Sequence, residues 1–186
     1  DFELNFNSMQ ENKKYILNSF VKKDDFNNMM AYGDLLFSDE KISSDIKIEL
    51  SDFSLSFLSK IGVNKIEKIK GDISGNVNLV GDIYNPELHG KLKLKNSSLY
   101  IPYTNTEYKF KDLSIVSLSG QQFVFEKIVF NDLDYKTEAL LSGKISHKNF
   151  NNWNLDLNVN SSNILLINKK FERKAIFYGK SFLDGK

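Results

Sequence analysis

Apolar and polar residues alternate with a period of two along most of this chain. That rhythm limits the fold more than any other feature, because only an extended strand sends successive side chains to opposite faces. Leu155, Leu157 and Val159 alternate with Asp156 and Asn158, and Trp153 extends the apolar side. Leu92 and Leu94 alternate with Lys91, Lys93 and Lys95; Val77 and Leu79 with Asn76 and Asn78; Ile46, Ile48 and Leu50 with Lys47 and Glu49; Phe2, Leu4 and Phe6 with Glu3 and Asn5. Phe123 and Phe125 share one face, and after an irregularity Ile128 and Phe130 share another. Strands with one oily and one polar side are the signature of antiparallel sheet with one face wet.

Breaks rich in Gly, Asn, Asp and Ser supply the turns such strands need. They fall at Ser74-Gly75, Gly81-Asp82, Asn85-Pro86, Asn96-Ser97-Ser98, Ser119-Gly120, Asn131-Asp132 and Asn149 to Asn152. Helical spacing shows best at Ser54 to Ile61, with Leu55, Leu58 and Ile61 on one side, Asp52 or Ser54 as a cap and Gly62 as a stop. A weaker candidate lies at Asp25 to Met30. The expected fold is all-β: an elongated, curved, antiparallel-rich sheet with at most one or two short helices. Residues 1–186 are read as a single segment excised from a longer protein.

A meander with one apolar face must cover that face with a second sheet, with helices, or by closing into a barrel. A sandwich or barrel stays open as an alternative. With so little helix to act as a lid, the other solution is a sheet that curves over its own oily side and leaves a taco-like hydrophobic groove. About ten strands spaced about 4.8 Å apart would make such a groove roughly 45 Å long. An acyl chain of about sixteen carbons would bury methylenes there worth about 13 kcal/mol in all. That is near the cost of leaving a bilayer. The candidate groove-lining residues are Ile73, Val77, Leu79, Leu92, Leu94, Leu99, Ile101, Tyr108, Phe110, Phe123, Phe125, Trp153, Leu155, Leu157 and Val159. The aromatic members could equally be plain core.

Two stretches carry a family resemblance. The first runs from Leu50-Ser51-Asp52-Phe53 through Gly71-Asp72-Ile73-Ser74-Gly75, Gly81, Asn85-Pro86-Glu87-Leu88-His89-Gly90, Leu99-Tyr100-Ile101-Pro102-Tyr103 and Tyr108-Lys109-Phe110. The second holds Leu141-Ser142-Gly143-Lys144-Ile145, Phe150, Trp153-Asn154-Leu155-Asp156-Leu157 and Phe177-Tyr178-Gly179-Lys180. In order and spacing they resemble the C-terminal region of TamB-family translocation and assembly proteins, in the form found in the Bacteroidota, over residues 45–186. The resemblance implies an envelope role within the AsmA-like, bridge-like lipid transport group. It implies a periplasmic segment of a protein anchored in the inner membrane outside this fragment, with phospholipid or another acyl-chain ligand as partner. It also implies, as an alternative, a scaffold for outer-membrane protein assembly that pairs strands with a POTRA-bearing barrel protein.

Other chemistry finds little footing. The net charge is +1, so the clustered cationic excess that nucleic acid demands is missing. Cys is absent, which removes disulfides, thiolate metal sites and a Cys nucleophile. No apolar run approaches the roughly 20 residues of a membrane-spanning helix. His89 and His147 read as turn or surface residues, without carboxylates at metal-ligand spacing. Asp24-Asp25 and Asp39-Glu40 sit in polar, turn-like stretches, unlike a general acid–base pair. No nucleophile elbow or phosphate loop is present. The expectation is therefore a non-enzyme without a cofactor; a sandwich that binds glycans is a further possibility.

Overall fold

The computed structural model describes residues 2–11, 13–23, 26–56, 68–169 and 179–185. These form one antiparallel sheet of twelve strands: β1 (Phe2–Glu11), β2 (Lys14–Lys23), β3 (Phe26–Phe37), β4 (Ile42–Ser54), β5 (Lys68–Asp82), β6 (Glu87–Ile101), β7 (Thr106–Phe110), β8 (Ile115–Gly120), β9 (Gln122–Asp132), β10 (Glu138–Lys148), β11 (Asn151–Lys169) and β12 (Gly179–Gly185). Nearly every strand pairs with its neighbour in sequence. The exception follows the same logic: β7 and β8 both lie between β6 and β9. They act as one strand interrupted at residues 111–114. Among the described residues the sheet does not close on itself; β1 and β12 are its two ends.

The register sorts the alternation onto faces. Ile46 lies opposite Leu79, Ile48 opposite Val77, Ile73 opposite Leu94, Leu92 opposite Val116, Leu118 opposite Phe123, and Ile145 opposite Leu155. One face is therefore apolar from β4 to β11. The other carries Lys47, Asn76, Asn78, Lys91, Lys93, Asp156 and Asn158, all exposed. Glycines on the apolar face let neighbouring backbones approach closely. A Cβ on Gly75 would stand 2.1 Å from the carbonyl oxygen of Lys91, and one on Gly143 2.2 Å from that of Asp156. Glycines so placed kink strands and allow a sheet to curve.

A line of irregularities crosses the sheet in register. The pairing shifts between Leu50 and Phe53 on β4, around Asn96 on β6, at 111–114 between β7 and β8, and around Lys127 on β9. Asp52, Asn96, Leu113 and Lys127 hold φ of 46°, 49°, 65° and 53° at these points. Side chains stitch the line together: Lys95 Nζ meets the Asp52 carboxylate at 3.0 Å, and Asp112 Oδ1 accepts the Asn96 N–H at 2.6 Å. Bulges bend strands and strengthen their twist, and here they fall at one level in neighbouring strands.

The strand pairing also revises several sequence readings. The bulge at Lys127 restores Ile128 and Phe130 to the same face as Phe123 and Phe125, where alternation alone separates them. Ser74-Gly75 and Asn96-Ser97-Ser98 are not strand breaks; they lie inside β5 and β6 as a close approach and a bulge. The helix at Asp25 to Met30 is replaced by β3 from Phe26 onward, because pairing with β2 and β4 outweighs a weak local signal. Of the helix at Ser54 to Ile61, Ser54 ends β4 and Leu55 is buried. Residues 57–61 lie outside the described residues.

The apolar face is unevenly exposed: Ile46, Ile73, Val77, Val116, Leu118 and Ile128 are buried, whereas Trp153, Leu155 and Leu157 on β11 are exposed. The accessible surface is 12564 Å², against roughly 9,100 Å² for a compact chain of this mass. The packed hydrophobic cluster sits at one corner, where Tyr108, Phe130, Ala139 and Ile164 meet, with Ile101, Phe110, Leu141, Val159, Leu166 and Leu183 against them.

Candidate functional site

The apolar face has two parts with different surroundings. All fifteen candidate groove residues lie on it. Ile73, Val77 and Tyr108 are buried, and Leu79, Leu92, Leu94, Leu99, Ile101, Phe110, Phe123, Phe125 and Val159 are half-buried. Trp153, Leu155 and Leu157 are exposed by 44%, 64% and 36%. They belong to the proximal half of β11, where the face is open.

The covered corner is made by the distal half of the same strand. At Ser161 to Ile164 the register with β12 shifts, and Ser161 Oγ accepts the Asn163 N–H at 3.1 Å. Beyond this bend β11 folds across β9 and β7. Ile164 and Leu165 are almost wholly buried. Two floor side chains take both backbone groups of Leu165. Tyr108 Oη donates to its carbonyl at 2.8 Å, and the Asp132 carboxylate accepts its N–H. Asp132 also accepts the N–H of Tyr135 at 2.5 Å, the N–H of Thr137 at 3.1 Å and the Thr137 hydroxyl. Burial alone would raise its pKa, but these donors together hold it below the usual carboxylate range. The Asn168 N–H donates to Thr104 at 2.9 Å, which pins the strand to the β6–β7 turn. Tyr108, Phe110, Ile101 and Val159 are thus packed by the chain's own residues.

At the opposite rim, the open face ends in an aromatic group. Phe123 and Trp153 stack at 6.1 Å, His147 stacks on Phe150 at 4.5 Å, and His147 lies 4.9 Å from Trp153. His147 is only 6% exposed, which corrects its reading as a surface residue. Its Nδ1 accepts the Phe150 N–H at 3.1 Å. The neutral ring therefore carries its proton on Nε2, and that atom is buried with no hydrogen-bond partner. An unpaired buried donor costs about 1–3 kcal/mol. Burial pushes the His147 pKa down, since it penalises the imidazolium. Gln121 ties this rim together: its carbonyl accepts the His147 N–H, its Nε2 donates to Asn85 at 2.6 Å, and its Oε1 accepts the Asn149 N–H.

Comparison with known proteins yields one informative match. The chain is 28% identical over 143 residues to an uncharacterized protein of Buchnera aphidicola subsp. Schizaphis graminum (strain Sg). The match covers 72% of this chain but 13% of that protein, so the chain spans a small part of its relative. No protein-family profile matches, and no solved structure is similar.

The other polar groups singled out in the sequence lie apart among the described residues. His89 is exposed beside Glu87 at 3.2 Å, and Asp39 meets Lys13 at 3.4 Å in the open. Asp24-Asp25 lies outside the described residues. No cluster among the described residues could hold a metal ion. Sequence reasoning passed over His147 and Asp132, treating one as a turn or surface residue and the other as a break. One signal was available for His147: it follows Ile145 at the apolar spacing, just before Phe150 and Trp153.

Proposed function

We propose that this chain holds or conducts lipid acyl chains along the open apolar face of its sheet, as a segment of a longer TamB-like envelope protein. One observation carries the reading: on a floor that is apolar from β4 to β11, Trp153, Leu155 and Leu157 stand side by side and exposed by 44%, 64% and 36%. Adjoining exposed apolar side chains on such a floor mark a binding surface. Hydrocarbon fits because the floor is lined by Leu, Ile, Val and Phe with few polar groups to set orientation. The relative's far greater length agrees with a conduit built from many such stretches.

The decisive experiment uses photo-crosslinking amino acids at single positions of β11 in the presence of phospholipid. Probes at Leu155 and Leu157 should capture acyl chains strongly, and probes at Asp156 and Asn158 on the reverse face should not. Equal capture on both faces would end the groove reading.

A second reading rests on the sheet edges. β1 and β12 end the sheet without pairing to each other, and an edge strand can add a partner's strand. In this reading the segment scaffolds outer-membrane barrel assembly with a POTRA-bearing partner. Crosslinks from β1 to such a partner, with no lipid captured at Leu155, would favour it.

A further inference from the structure

We propose that the aromatic rim around His147 is a recognition site for the ester carbonyl of an acyl lipid, with the Nε2–H as its donor. This rests on the groove reading and adds to it the point where the polar end of the lipid is held. The tautomer is set by the chain itself, because the Phe150 N–H occupies Nδ1. The free proton on Nε2 then lacks an acceptor. The ring shares its face with Phe123 and Trp153, at the rim where the open floor of Leu155 and Leu157 begins. A lipid whose ester sits at His147 would lay its hydrocarbon along that floor.

The packing favours an ester over a phosphate. The imidazole stacks on the ring of Phe150, and the rings of Phe123 and Trp153 lie tilted against it. An anion would lose its hydration among them, whereas an ester carbonyl loses little. The donor is buried in the free protein, and two of the rings packed on the imidazole, Phe150 and Trp153, are each 44% exposed, so a ring swing is the route that ester binding requires. Such a hydrogen bond confers selectivity, because a guest without the acceptor leaves the donor unpaired.

Trp153 is the single tryptophan of the chain, so intrinsic fluorescence reports on this rim without a label. The test titrates the protein with dioctanoylphosphatidylcholine and with its dioctyl ether analogue, which keeps the phosphate and loses the ester carbonyls. The diester should bind about 5- to 10-fold more tightly than the diether, the range one hydrogen bond commands. His147→Phe should abolish the difference by weakening the diester alone, while His147→Gln, which keeps an N–H donor, should retain part of it. Unchanged diether binding serves as the folding control for both variants. Equal binding of the two lipids to the unmodified protein would overturn the His147 site and leave the groove standing. A variant that weakens both lipids alike would assign His147 to structure and also overturn it. Binding of neither lipid would remove the groove reading, and this site with it.

Discussion

The two halves of β11 make the clearest contrast in the molecule. The proximal half places Trp153, Leu155 and Leu157 on an open floor, with Leu155 64% exposed. The distal half, after a bend at Ser161 to Ile164, buries Ile164 completely over Tyr108 and Phe130. Both halves are strand, and both present aliphatic residues to the same side of the sheet. What separates them is a register shift and two polar side chains. Tyr108 and Asp132 receive the carbonyl and the N–H of Leu165, which allows a strand to cross an apolar floor without leaving its backbone unpaired. Covering such a sheet requires hydrogen-bond partners on the floor as well as oily residues in the cover. Among the described residues, the open stretch offers no comparable pair.

The largest expected effect falls on the latch. Asp132→Ala would strip the acceptor from the N–H groups of Tyr135, Thr137 and Leu165 and from the Thr137 hydroxyl. It should cost about 3 kcal/mol in urea unfolding, as expected when several part-buried donors lose one shared acceptor. Ile164→Ala should cost about 3 kcal/mol, the usual loss for a fully enclosed aliphatic side chain. Tyr108→Phe removes only the hydroxyl bond to Leu165 and should cost about 1 kcal/mol. If all three changes prove nearly neutral, the corner is not the stable part of the molecule and the contrast collapses.

Acid should act on the two regions in sequence. The folded His147 pKa lies below its ordinary value because burial disfavours the imidazolium. Above pH about 6.5 the ring is neutral folded or unfolded and contributes no pH dependence. As pH falls below that value the unfolded chain binds a proton that the folded chain resists, and stability declines. Asp132 is shifted the other way relative to its charge: its contribution is complete above the usual carboxylate pKa and is lost only as pH falls below it. Unfolding midpoints measured between pH 8 and pH 5 should therefore drop, and His147→Gln should flatten that drop. A decline that survives in the variant would assign it to other groups.

Much of this architecture was legible in the sequence. The alternation identified the strands, their oily side and the all-β class, because side-chain period is a local property of extended chain. All fifteen proposed groove residues lie on the same face of the sheet. The bulges were not legible: nothing local in Glu126-Lys127 shows that Ile128 returns to the face of Phe125, since the left-handed turn at Lys127 is imposed by pairing with β10. The covered corner was also hidden. Ile164 and Leu157 are the same kind of residue in the same strand, and only contacts with Tyr108, distant in sequence, make one core and leave the other open. Asp132 looked like a turn residue because it is one; its second task, receiving Leu165, depends on where β11 arrives.

The smallest effect on stability tests the contrast most sharply. Leu155→Ser removes an apolar side chain that is mostly in water already, so little transfer free energy is at stake and unfolding should shift by less than about 0.5 kcal/mol. Its effect on acyl-chain capture should be large, because a hydroxyl on the open floor interrupts the surface a hydrocarbon would occupy. Ile164→Ala should show the reverse pattern, with a large loss of stability and capture at Leu157 unchanged under conditions where the variant remains folded. Measuring urea unfolding and lipid crosslinking on both variants gives a double dissociation if one half of β11 is core and the other is a binding surface. If Leu155→Ser destabilises the protein as much as Ile164→Ala, the exposed leucine is core in solution. The face is then sealed by some arrangement of the chain, and the floor has no room for a guest.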